Sequence, residues 1–179
     1  ADALTANEGI NRFAWDMTHR GAWHEEEDER FEDGPLAAPG TYTLRLTVGD
    51  EVLEQPLTIV TDPRVTASGV SDDMIAAQVG LELRVVALLD EARRLAHALE
   101  QEREPLGDDD SDGRVRQIDT ALEALVTAEG TYMQPMLIAQ IDYLYDMISG
   151  ADQAPGEEAA DRFRVLTAEL DRIRAALND

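Results

Sequence analysis

From Met74 to Leu99 the residues Met74, Gln78, Leu81, Val85, Leu88, Ala92, Leu95 and Leu99 recur alternately every four and three positions, with Val86, Leu89 and Ala96 widening the stripe. Only a helix with 3.6 residues per turn brings such positions onto one face, so one long helix must organise whatever else the chain builds. Ser71, followed by Asp72 and Asp73, supplies an N-cap and two charges suited to the positive end of the helix dipole. Pro105 and Gly107 end it. Three shorter stripes follow: Val115, Ile118, Leu122 and Leu125, closed by Gly130; Leu137, Ile141, Leu144 and Ile148, stopped by Gly150; and Ala159, Phe163, Leu166, Leu170, Ile173 and Leu177. Four amphipathic helices on short connections predict an antiparallel bundle with these stripes as its core. The same stripes could instead seal helices between chains, which makes homo-oligomerisation the alternative.

Before Asp62 the period is two. Tyr42, Leu44, Leu46 and Val48 alternate with Thr41, Thr43, Arg45 and Thr47, the pattern of a half-buried strand, and Phe13 and Trp15 alternate in the same way. Gly49-Asp50 turns the chain into a second run, Val52, Leu53, Leu57, Ile59 and Val60, which makes a hairpin. Pro56 fits that run on an edge strand or at a bulge. An immunoglobulin-like sandwich needs about seven strands, and three or four are visible here. The fold class expected is therefore α+β in two parts: residues 1–64 as a partial immunoglobulin-like β-module and residues 65–179 as a four-helix bundle.

Charge removes several functions. The chain of 179 residues carries 38 acids against 15 basic residues, all Arg, for a net charge of −23. Nucleic-acid binding needs clustered basic side chains to displace counterions from phosphate, and there is no such cluster. The absence of Lys excludes Schiff-base chemistry and a Walker phosphate loop, and the absence of Cys excludes thiol nucleophiles, thiolate zinc sites and disulfides. No apolar run approaches the roughly 20 residues of a membrane span, so membrane insertion is not expected. The acids are spread over both halves, which resembles the surfaces of proteins from salt-loving organisms. A GC-rich genome that replaces Lys by Arg is the other source of this composition.

Two segments carry a resemblance: Gly9-Ile10-Asn11-Arg12-Phe13-Ala14-Trp15-Asp16, and Gly34-Pro35-Leu36-Ala37-Ala38-Pro39-Gly40-Thr41-Tyr42-Thr43-Leu44-Arg45-Leu46. With Gln55-Pro56-Leu57 and Asp62-Pro63-Arg64-Val65, they are similar to the C-terminal region of secreted bacterial proteins built on Asp-box (BNR-repeat) β-propellers of the sortilin-like type, often described as glycosyl hydrolases. The resemblance implies an immunoglobulin-like module, like that of flagellar hook-capping proteins, followed by a helical segment. It also implies an upstream β-propeller as partner, with a protein or cell-surface partner possible, and an extracellular or periplasmic location. No S-x-D-x-G-x-T-W repeat occurs in this chain, so no catalytic residue is carried over and the expectation is a non-catalytic accessory region. Physically, Gly40 after Pro39 suits a turn into a strand, Trp15 and Tyr42 are large core fillers, and Asp16 can accept backbone donors at a corner.

The sharpest chemical motif is Asp108-Asp109-Asp110-Ser111-Asp112-Gly113-Arg114-Val115-Arg116-Gln117-Ile118-Asp119. It matches the D-x-D-x-D-G start of a calcium loop, in which alternate Asp side chains and a Gly turn converge hard oxygens on one ion. Asp108, Asp110 and Asp112 would ligate, with the Arg114 carbonyl and Asp119 completing the shell. Asp119 stands where Glu is usual, and there is no second loop to pair with. A solvated acidic linker explains the same residues. His19, His24 and His97 have no metal-ligand spacing; His24 beside Glu25 to Glu27 could bind a metal adventitiously, and His97 lies off the main stripe of the long helix, where solvent exposure is expected. The four Ser fall in no nucleophile-elbow motif, and 38 acids single out no carboxylate pair for glycoside hydrolysis.

Overall fold

Strand gives way to helix where the period changes. The computed structural model describes residues 7–25, 31–106 and 113–178. Its order is β1 (Thr18–Trp23), β2 (Phe31–Leu36), β3 (Gly40–Val48), β4 (Glu51–Ile59), α1 (Pro63–Ala67), α2 (Asp72–Arg103), a 3₁₀ turn (Glu104–Leu106), α3 (Arg114–Leu125), α4 (Leu137–Ser149) and α5 (Glu157–Ala176). The fold is mixed α and β, with two small antiparallel sheets and one long helix.

α2 has 32 residues, a rod of roughly 48 Å at 1.5 Å per residue. Ser71 caps it as expected, its Oγ accepting from Met74 N at 3.2 Å. The stripe is the core: Leu81, Val85, Leu88, Ala92 and Leu99 are buried, together with Ile118 and Leu125 of α3, Ile141 and Leu144 of α4, and Leu166 and Leu170 of α5. All of these join one apolar cluster. Fully burying one such Leu or Ile contributes about 1.5–3 kcal/mol, so this shared seam dominates the stability. α3 stops at Leu125, short of Gly130, because Val126 is already extended at φ −107° and ψ 129°.

The four strands form two separate two-stranded sheets, β1–β2 and β3–β4. β1–β2 lies on α2 and places Ala22, 2% exposed, in the helical core. Two contacts pin the end of β1 there: Trp23 N donates to Asp90 Oδ1 at 3.0 Å, and Arg93 Nη1 donates to Trp23 O at 3.4 Å. Gly34 lets β2 approach β1 closely, since a Cβ at that position would fall 2.7 Å from both the His19 and Arg20 carbonyl oxygens.

β3–β4 is a nine-pair ribbon in unbroken register from Gly40↔Ile59 to Val48↔Glu51. Gly49, at φ 59°, takes the first position of its two-residue turn, and Asp50 has no positive φ, as a type II′ turn requires. The register pairs Thr43 with Pro56, which an edge strand tolerates, and both strands of a two-stranded ribbon are edges.

Three expectations for this half need correction. Residues 7–17 contain no strand, so the alternation at Phe13 and Trp15 is not a strand pattern, and Phe13 is 67% exposed. Trp15 and Tyr42 lie outside the core; they meet each other edge to face at 6.1 Å, and Tyr42 Oη donates to Ala38 O at 2.7 Å. β3 is exposed along almost its whole length, because among the described residues no second layer lies over it. Asp16 does hold the corner, its Oδ1 accepting from Thr18 N at 2.9 Å and from Thr18 Oγ1 at 2.7 Å. Those two bonds, the backbone one first, hold its carboxyl below the usual carboxylate range. No helix among the described residues is long and apolar enough to cross a membrane.

Candidate functional site

A cavity of about 320 Å³ opens where the base of both hairpins meets the start of α2 and the end of α4. Its walls are largely apolar, including Met17, Pro35, Ile59 and Val79, and its acids include Glu82 and Asp152. Glu82 is only 4% exposed. Burial raises its carboxyl above the usual range; a hydrogen bond from Gln78 opposes this, and the charge of Asp152 adds to it. A carboxyl biased toward its neutral form can donate as well as accept a hydrogen bond.

Gln78 positions that acid. Its Nε2 donates to Glu82 Oε1 at 3.1 Å, to Ile148 O at 2.8 Å and to Ala151 O at 3.0 Å, while its Oε1 accepts from Gln153 N at 3.0 Å. Two amide hydrogens serve three acceptors, so one is shared. Ile148 O is a carbonyl of the last turn of α4, which has no intrahelical donor left, and Ala151 O lies just past its C-cap Gly150. Gln78 therefore caps α4 from another helix. The stripe placed Gln78 in the core, but nothing in the spacing showed what its amide would bind.

The ends of the acidic loop are fixed by ion pairs. Asp108, Asp110 and Asp112 lie outside the described residues, so the geometry of the expected calcium ligands begins at Gly113, which has the left-handed backbone (φ 79°, ψ 0°). Arg114 is the first residue of α3, so its carbonyl is directed along the helix toward the following turn. Its guanidinium grips Glu102 with two bonds, at 2.7 and 2.8 Å, and Nη1 donates to Leu177 O at 3.1 Å. That guanidinium holds the Glu102 carboxyl below its usual range. Asp119, the last expected ligand, accepts from Arg103 Nε at 2.7 Å. These pairs tie the end of α2 to α3 across the loop, and calcium would have to displace Arg103 from Asp119.

One face of the β3–β4 ribbon is an exposed, mainly apolar surface. Directly opposed residues of an antiparallel pair share a face, so the register puts Tyr42, Leu44, Leu46 and Val48 on the same side as Leu53 and Leu57, with the polar Glu51 and Gln55 among them. Leu44, Leu46, Val48 and Leu53 are 47%, 42%, 62% and 62% exposed. The other face carries Thr41, Thr43, Thr47, Thr58, Val52, Pro56 and the Arg45–Glu54 pair, closed at 2.7 Å. The period-two pattern identified the apolar face; only the fold shows that Leu44, Leu46, Val48 and Leu53 on it stay exposed among the described residues.

No protein-family model, curated protein or solved structure matches the chain.

Proposed function

We propose that the chain is a non-catalytic accessory and interaction region of a secreted Asp-box β-propeller protein of the glycosyl-hydrolase-like type. In this reading β3–β4 belongs to an immunoglobulin-like module, the four helices form an antiparallel bundle, and the partner is the propeller of the same protein, outside the cell or in the periplasm. The observation that carries it is the bare apolar face of the ribbon. A lone two-stranded ribbon is marginal in water, and a contiguous apolar patch on a soluble chain marks a surface that something else covers. Both ribbon edges also offer unpaired backbone groups to an added strand. A second copy of the chain is the poorer occupant, because two surfaces at −23 each repel.

The test has two parts. Reading the gene on the N-terminal side of Ala1 should reveal S-x-D-x-G-x-T-W repeats; their absence sinks the propeller partner. The separately expressed repeats should then bind this chain in sedimentation at fixed high salt, and Leu46→Asp should weaken that binding at least tenfold, as loss of about 1.5–3 kcal/mol of side-chain burial requires. Unchanged affinity, or self-association of the chain in place of binding, overturns the reading.

A further inference from the structure

The end of β1 and the last turns of α2 bring together Glu25, His97 and Glu100, whose ligating atoms all lie within 4.8 Å of one another. The residues come from two distant parts of the sequence, and the solvated position expected for His97 holds only in part. Its side chain is one-third exposed and its ring packs on Trp23 with centroids 5.0 Å apart, while the Arg94 guanidinium lies 5.3 Å from the Trp23 ring centre. The ring of His97 is thus held by an aromatic neighbour that the Asp90 and Arg93 contacts fix to the helix.

His97 Nδ1 is shut off from solvent and makes no hydrogen bond. Glu25 Oε1 lies 3.1 Å from it, close enough for an ion pair but without hydrogen-bond geometry. A buried nitrogen so placed is satisfied either by charge pairing with this carboxylate or by an ion that both atoms ligate. Two donor atoms bound to one first-row ion at about 2.0–2.2 Å each stand roughly 3.0–3.5 Å apart, so the Glu25–His97 spacing suits a shared ion. Glu100 follows His97 by three positions, on the same helix face, and its exposed carboxylate can swing in as the third ligand.

We infer that Glu25, His97 and Glu100 form a binding site for a divalent transition-metal ion of the zinc class. An imidazole with two carboxylates selects such ions over calcium and magnesium, which prefer all-oxygen shells. Three protein ligands leave room for water, and the ion clips the end of the β1–β2 hairpin to α2.

The test uses the full chain, stripped with chelator, at fixed high ionic strength and with 5 mM calcium present to occupy hard-oxygen sites. Zinc chloride is titrated by calorimetry, and the histidine side-chain ¹⁵N signals are followed. One saturable zinc per chain is expected, with a shift of the His97 Nδ1 resonance and a higher unfolding midpoint. His97→Phe, which keeps an aromatic ring against Trp23, and Glu100→Gln, at an exposed position, should each lower the affinity at least tenfold. His24→Gln should leave it unchanged. Three results overturn the site: several weak ions per chain with His97 unshifted, binding that the His97 and Glu100 variants retain, or no zinc uptake at 100 µM by folded protein, in which case Glu25 and His97 are an ion pair only.

Discussion

Replacing Gln78 by Leu keeps the side-chain volume in the core and removes the four hydrogen bonds of Gln78, one to Glu82 and three to Ile148, Ala151 and Gln153 at and beyond the end of α4. The Ile148 carbonyl belongs to a buried residue and loses its 2.8 Å donor, a loss of about 1–3 kcal/mol for an unsatisfied buried acceptor. Ala151 and Gln153 are exposed, so water can replace their bonds, and each loss is worth about 0.5–1 kcal/mol. The added apolar surface of Leu offsets about 1 kcal/mol of this. The buried Glu82 carboxyl also loses its 3.1 Å donor, worth about 1–3 kcal/mol, so the expected net loss is about 4 kcal/mol, or a fall in thermal midpoint of about 8–16 °C for a chain of this size. Urea unfolding at fixed high salt, followed by far-UV circular dichroism, should show a lower midpoint with an unchanged slope. A variant within about 0.5 kcal/mol of the parent would refute the cross-helix cap, because no buried acceptor could then have been abandoned.

Glu82→Gln should stabilise the protein by on the order of 1 kcal/mol at neutral pH, since it removes a buried charge while keeping an acceptor for Gln78. The sign follows from the raised carboxyl: native protein holds the proton more tightly than unfolded chain, so its contribution is full below the ordinary Glu range and is lost as pH rises through the raised native value. Unfolding of parent and variant should therefore diverge as pH rises from acid, and parallel curves would contradict the burial. Gly34→Ala, whose Cβ would press on the His19 and Arg20 carbonyls at 2.7 Å, should cost about 1–3 kcal/mol and red-shift the emission of Trp23 as β1–β2 loosens from α2; an unshifted spectrum counts against that close approach. Raising NaCl from about 0.1 to 1 M shortens the screening length from about 10 to 3 Å and should raise the thermal midpoint of a chain at −23, whereas a flat response would show that self-repulsion is not limiting. At fixed ionic strength millimolar calcium should leave that midpoint unchanged, because Asp119 is held by Arg103; a rise abolished by Asp110→Ala and Asp112→Ala would show that the acidic loop binds the ion.

What the chain determines locally is written in the order of its residues. The four-three spacing sets the long helix and its three shorter companions, Ser71 sets the start of α2, Gly49-Asp50 sets the ribbon turn, and Asp16 sets the corner before β1. Each of these depends on groups within a turn or two of one another, so residue type and spacing suffice. The strand pattern was legible too, but alternation reports only that one face is apolar and not whether anything covers it; Leu44, Leu46 and Leu53 show the difference. The remaining features join residues far apart in the sequence: Gln78 with Ile148 and Gln153, Glu82 with Asp152 at one cavity, and Glu25 with His97 and Glu100. Those meetings depend on how α2 packs against α4 and on where β1–β2 settles along it. Hydrophobic burial is non-directional, so the stripes say which faces must be hidden, and only the packed structure decides which polar groups are carried together when they are.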